Sequence, residues 1–204
     1  MRWLSECRFY GKMENKRYNM SEIFDIVDER GMPTGETVSR DEAHEKGIRH
    51  RTAHIWVVRK EGDKVQMLLQ KRAQNKDSFP GCYDTSSAGH IQAKDEPLES
   101  ARRELWEELG IAADEKNLDF AGCFGIEYEK VFHGKPFHDN EVAFVFVYSK
   151  PVEISELTLQ EEEVESVAWF DVDVLQGLLD PRDSRFCVPM EGFLLGKKWC
   201  EEHL

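Results

Sequence analysis

The apolar positions along the chain follow two periods, and these lay out the elements. "EIFDIVDERG" (Glu22–Gly31) alternates apolar with polar residues, the pattern of a half-buried strand. The turn "GMPTG" leads from it to a second short strand around Glu36–Val38, giving an N-terminal hairpin. Ser39 is a good N-cap with acidic residues just after it and Gly47 past the end, so Ser39–Lys46 reads as a short helix. Two strands follow, "RTAHIWVVRK" and "KVQMLLQKR", separated by "EGD". The stretch "AQNKDSFPGCYDTSSAG" is a loop rich in turn formers that closes on a short strand at Tyr83–Ala88. A helical period then takes over: Leu98, Ala101, Leu105 and Leu109 form one stripe. Asp95 is placed to cap this helix, Pro97 suits its first position, Glu99 the positive end of its dipole, and Gly110 its end. Strands are expected near Leu118–Glu129 and Val142–Tyr148, where "EVAFVFVYSK" is apolar enough to be buried on both faces. The acidic stretch "ISELTLQEEEVES" reads as a loop before a strand at Val167–Phe170, and helices at Val172–Leu179 and Val188–Glu201 finish the chain. Strands precede, flank and follow one central helix without regular alternation, which predicts an α+β fold around a mixed sheet.

A chain of 204 residues with 40% apolar content buries one substantial core. We expect a single domain over residues 20–204, in which 20–50 form a hairpin-and-helix extension of a core at 51–204. Residues 1–19 carry no pattern and are expected to be a poorly ordered leader. Five widely spaced cysteines, without a CxxC pair, suggest neither a disulfide framework nor a thiolate zinc site, and fit a reducing compartment. No run approaches the roughly 18 apolar residues of a membrane span, and the first twenty residues lack a signal peptide's apolar core, so the expected location is cytoplasmic. The net charge of −13 argues against broad binding to nucleic acid or anionic membrane, both of which call for an excess of Lys and Arg. A phosphate-bearing partner must then be met by local cations or a bound metal.

That requirement gives meaning to the central helix. Glu104, Glu107 and Glu108 are related by three- and four-residue spacings, so three carboxylates crowd one side, next to the apolar stripe. Arg103 lies four residues after Glu99 and four before Glu107, within reach of either. A solvated acidic face is the plain alternative, but exposed faces usually alternate in sign and like charges at this spacing repel. Three converging carboxylates are what a hard divalent cation takes as ligands.

The residues also resemble a known family. Gly89, Arg103, Glu104, Leu105, Glu107, Glu108, Gly110 and Ile111 fall in place on the Nudix box, with Asp95 where the pattern has Glu. Asp keeps the charge but is one methylene shorter, which weakens the orienting contact expected with Arg103. The resemblance implies an α/β/α sandwich with a mixed sheet that hydrolyses a diphosphate linkage, with Mg²⁺ or Mn²⁺ held by Glu104, Glu107, Glu108 and the carbonyl of Ala88. By the same analogy Glu107, Glu141 or one of Glu161 to Glu163 accepts the proton, and Arg103 completes the catalytic set. The substrate expected is a small nucleoside diphosphate joined to a variable group. Pairing into a homodimer through the N-terminal region is consistent with the family.

Outside the box, "VDERG", "HEKGIRHRTAH", "LLQKRAQNKDSFPGCYDTSSAGH" and "NEVAFVF" look closest to the branch that includes isopentenyl-diphosphate isomerase. That likeness implies a second metal at His50, His90 and Glu141, with His44 and Asp139 matching loosely, and a diphosphate grip by Arg72 and Lys76 beside His90. Ala88, however, stands where the isomerases carry an essential cysteine, and the full Arg-Glu and Glu-Glu pairs are kept. Hydrolysis therefore ranks first, ahead of a noncatalytic nucleotide-binding regulator and of isomerisation. The plain readings are hydrogen-bonding roles for His44 and His50, strand-end roles for Arg72 and Lys76, core packing for Trp56, Phe144 and Phe146, and a solvated loop for "QEEEVES".

Overall fold

Alternation in "RTAHIWVVRK" puts Ala53, Ile55 and Val57 on one side of a strand and Trp56 and Val58 on the other. In the computed structural model, which describes residues 22–179 and 183–204, each set is fully buried in a separate core. That strand, β3 (His50–Glu61), is central because both of its faces are apolar. It pairs antiparallel with β4 (Lys64–Arg72) and β6 (Ser87–His90) and parallel with β8 (Lys135–Tyr148). β5 (Tyr83–Asp84) and β9 (Val164–Asp171) pair with β4, and β7 (Leu118–Phe132) lies outside β8. The sheet is thus mixed, and a separate hairpin of β1 (Ile23–Val27) and β2 (Pro33–Ser39) runs into α1 (Arg40–Lys46).

On one face of the sheet Ala101, Leu105 and Leu109 of α2 (Pro97–Leu109) pack against Ala53, Ile55, Leu68 and Phe146. On the other, Leu175 of α3 (Val172–Leu179) and Phe193 and Trp199 of α4 (Met190–His203) close over Trp56, Met67, Leu69, Val145 and Val147. This is the expected α/β/α sandwich, with Trp56 and Phe146 in the core and Phe144 half-buried at its edge. Ser39 caps α1 by accepting from Glu42 N. Gly110, at φ +73, returns its N–H to the last turn of α2, a left-handed stop that glycine adopts at least cost.

Two expectations are corrected. The N-cap of α2 is Glu96, not Asp95, and its side chain makes no capping bond; Pro97 at the start needs none for its missing N–H. The strands expected near Leu118–Glu129 and Val142–Tyr148 are longer: β7 and β8 continue as a ladder to Phe132 and Lys135, closed by His133 and Gly134 at φ +49 and +77, a two-residue primed turn. The leader expected at 1–19 lies outside the described residues. No described helix is long and apolar enough to cross a membrane.

Candidate active site

A cavity of about 1090 Å³ opens between α2, the loop after β4, the β7–β8 hairpin and the start of α4. Among its lining residues carboxylates outnumber Lys and Arg by more than two to one, an imbalance that a diphosphate alone would worsen. Strand β6 delivers Ala88, Gly89 and His90 to the cavity floor, and α2 crosses just above them. Glu108 is buried, and its Oε2 accepts from Ala88 N at 3.1 Å and Gln70 Nε2 at 3.2 Å. The carboxyl of Glu104 lies so close over Gly89 that a Cβ there would run into it, which explains the glycine. Arg103 Nη1 is 2.7 Å from Glu104 Oε1 and 3.4 Å from Glu107 Oε2, while its Nη2 donates to His90 O at 3.1 Å. Glu107 faces solvent.

Burial, with the charge of Glu108 added, pushes Glu104 up to about 8. Burial likewise pushes Glu108 up to about 7 against its hydrogen bonds. Two acids held near neutral even with Arg103 against Glu104 and Lys76 in electrostatic reach of Glu108 make a site short of positive charge, and its all-oxygen donors fit a hard divalent cation.

Beside this cluster lies a second one. Among the described residues, His44, His50, His90 and Glu141 bring their donor atoms within 4.8 Å of one another. Parallel register sets His50 opposite Glu141, and β6 sets His90 opposite Thr52. The Nε2 atoms of His50 and His90 are each 3.7 Å from Glu141 Oε1, and both are buried without a hydrogen-bond partner. Nδ1 of His50 faces Ile48 O at 2.9 Å and Nδ1 of His44 faces Arg40 O at 2.9 Å, so Nδ1 donates in each and the Nε2 lone pair points inward. Thr52 donates to Glu141 Oε2 at 3.0 Å, and Phe24 stacks on both His50 (4.9 Å) and His90 (4.6 Å).

Burial lowers His90 well below its usual range, and burial with the neighbouring His50 brings His44 down to about 4. Asp139, whose Oδ1 is 3.6 Å from His44 Nε2, is pushed up to about 8 by burial and by Glu141. At His50 burial is outweighed by the adjacent Glu141, which holds that imidazole above its usual range; three imidazoles beside a carboxylate suit a metal that accepts nitrogen as well as oxygen. The plain hydrogen-bonding readings of His44 and His50 account for Nδ1 only.

Arg72 and Lys76 line the cavity as expected, but neither is free. Arg72 donates to Ser78 O at 3.1 Å and to Asp84 Oδ2 at 3.1 Å, and Lys76 pairs with Glu163. From the acidic loop Glu162 and Glu163 reach the cavity wall and Glu161 does not, so "QEEEVES" is only partly a solvated loop. Thr52 carried no motif; its place two residues after His50 on one strand face was the available signal.

A family model described as NUDIX domain matches residues 48–187. A Nudix hydrolase of Clostridium acetobutylicum is 40% identical over 178 residues, covering 87% of this chain and 82% of the relative. Nudix hydrolase 3 of Arabidopsis thaliana is 36% identical over 167 residues, 81% of this chain but only 21% of that longer protein. Among solved structures, DR0079 from Deinococcus radiodurans superposes with a TM-score of 0.64 at 17% identity, covering 86% of this chain and 98% of that one. The NUDIX domain of Shewanella oneidensis NrtR, solved with ADP ribose, gives 0.54 at 14% identity, covering 82% and 100%. The chain belongs to the Nudix family.

Proposed function

We propose that this Nudix hydrolase splits the diphosphate linkage of a small nucleoside diphosphate carrying a variable second group, using Mg²⁺ or Mn²⁺ held by Glu104, Glu107, Glu108 and the carbonyl of Ala88. The observation that carries the reading is the pair of carboxylates, Glu104 nearly buried and Glu108 fully so, raised to about 8 and 7 although Arg103 adjoins the first and Lys76 faces the second. A divalent ion bound there supplies neutralisation of the diphosphate and a lowered pKa for the attacking water. Arg103 bridges Glu104 and Glu107 and holds His90 O, so it orients two ligands and the loop between β6 and α2 together. Glu107, the most exposed of the three, is placed to accept the water's proton. Glu141, enclosed by imidazoles, suits a second cation shared with His44, His50 and His90, and serves as base only in its absence. Lys76 and Arg72, which line the same cavity, meet the diphosphate, and the substrate competes with Glu163 for Lys76. The ADP ribose bound by the Shewanella domain supports a nucleoside diphosphate in this cavity.

The histidine cluster favours a second reading, isomerisation of an isoprenoid diphosphate, since His50, His90 and Glu141 come together as the likeness to isomerases implies. Against it, the methyl of Ala88 can neither give nor take a proton. The test is ³¹P NMR of the protein with Mg²⁺ and a pool of nucleoside diphosphates, nucleoside triphosphates, ADP-ribose and isopentenyl diphosphate, beside Glu108→Gln. New phosphate or monophosphate resonances that vanish in the variant are expected. A spectrum unchanged by the wild-type protein would overturn hydrolysis of these substrates.

A further inference from the structure

Arg103 bonds to Glu104, Glu107 and His90 O, and among the described residues none of its hydrogen bonds or ion pairs is to Asp95; the loop between β6 and α2 is also held from another direction. Asp25, on the N-terminal hairpin, and Arg51, on β3, are both buried and form an ion pair at 2.9 Å. The pair does not stop at itself. Asp25 Oδ2 also accepts from Lys94 N at 2.9 Å, and the same Arg51 Nη2 donates to Asp95 O at 3.2 Å. Around these bonds Ala93 N donates to Ile23 O at 2.8 Å and Ile91 N to Arg51 O at 3.0 Å. Lys94 sits at φ +74, a left-handed conformation that a residue with a side chain keeps only where its surroundings impose it. Every one of these contacts falls between His90, whose carbonyl anchors Arg103, and Pro97, where α2 begins.

We infer that the Asp25–Arg51 pair is a positioning element for the catalytic loop, acting on residues 91–95 beside the hold that Arg103 keeps on His90 O, and that the N-terminal hairpin is thereby part of the active site. Neither residue lines the cavity, so both act through the loop backbone. A displacement of about 1 Å at the loop is enough to cost on the order of 100-fold in rate, because Arg103, Glu104 and Glu107 are set by where α2 begins. The inference rests on the hydrolytic reading for its kinetic consequence but not for its structural one.

Removing one partner leaves a buried charge and threatens folding, whereas replacing both by apolar residues of similar size is often tolerated. The informative protein is therefore the double variant Asp25→Leu, Arg51→Met, with Asp25→Glu, Arg51→Lys as the charge-conserving comparison. Expected for the first is a folded protein, by circular dichroism, with amide exchange at Lys94 accelerated at least about tenfold. Expected with it is a kcat lowered at least about tenfold and a KM changed less than about threefold, with partial recovery in the charge-conserving variant. Wild-type exchange at Lys94 and wild-type kcat in the folded apolar variant would overturn the inference and leave the pair as ordinary core. Should the wild-type protein hydrolyse no diphosphate, the functional reading falls while the exchange rates still decide the clamp.

Discussion

The two candidate ligand clusters at the cavity are built by opposite means. Glu104, Glu107 and Glu108 come from one turn of one helix, are all oxygen, and crowd like charges together. His44, His50, His90 and Glu141 come from α1, β3, β6 and β8, mix nitrogen with oxygen, and set three imidazoles around the carboxylate of Glu141, with Asp139 beside His44. The first is demanding electrostatically and simple to build, since helical spacing alone aligns it. The second is less crowded by like charge and depends on two strand registers, β3 with β6 and β3 with β8, and on where α1 is set. The difference predicts that the helix cluster governs turnover and its pH dependence, and that the histidine cluster selects a different ion.

The sharpest way to break that division is to neutralise one ligand in each. Glu108→Gln keeps the shape and the bonds from Ala88 and Gln70 available to an amide oxygen, and should lower kcat by about 10² or more in steady-state assays. His90→Ala should instead weaken Zn²⁺ or Mn²⁺ at the histidine cluster by about 10- to 100-fold, read by calorimetry, while Mg²⁺-dependent turnover falls far less. Equal losses of turnover in the two variants would mean the clusters act as one site.

A smaller effect concerns stability. Glu104, Glu108 and Asp139 bind protons more tightly in the folded protein than unfolded, so their contribution is greatest at low pH and is lost as pH rises through about 7 to 8. The lowered imidazoles of His44, His54 and His90 act in the reverse sense, but only up to the ordinary histidine range near 6.5. Metal-free protein should therefore lose thermal stability between pH 6.5 and pH 8 in a melting series, and saturating Mg²⁺ should remove or reverse that slope. A rise in Tm over the same interval without metal would contradict the charge-crowded picture of the helix cluster. Smallest of all, Lys76→Met should raise KM by several-fold with little change in kcat, because the ammonium is already shared with Glu163.

What the sequence revealed follows the same division. The helix cluster is legible because three- and four-residue spacings are local, and "RTAHIWVVRK" was legible as a strand, though its place between two cores came only with the structure. The histidine cluster is not, since His50 and Glu141 meet only through the parallel register of β3 and β8, which no local pattern encodes. Resemblance pointed to those residues; periodicity could not. Asp25 and Arg51 were hidden for another reason: charged residues in an alternating strand read as its wet face, and their burial depends on each other. The β7–β8 hairpin was missed because His133–Gly134 makes a primed turn without the asparagine or aspartate that usually announces one.

The central claim is that the carboxylates of Glu104 and Glu108 on α2 are short of positive charge, even with Arg103 and Lys76 near, until a divalent cation arrives. Mn²⁺ titrated calorimetrically at pH 7 in two buffers of different ionisation enthalpy measures the protons exchanged on binding. With Glu104 near 8 and Glu108 near 7, the account predicts net proton release by the wild-type protein and a clearly smaller release by Glu104→Gln and by Glu108→Gln. Binding with no release, or release unaltered in both variants, would contradict it.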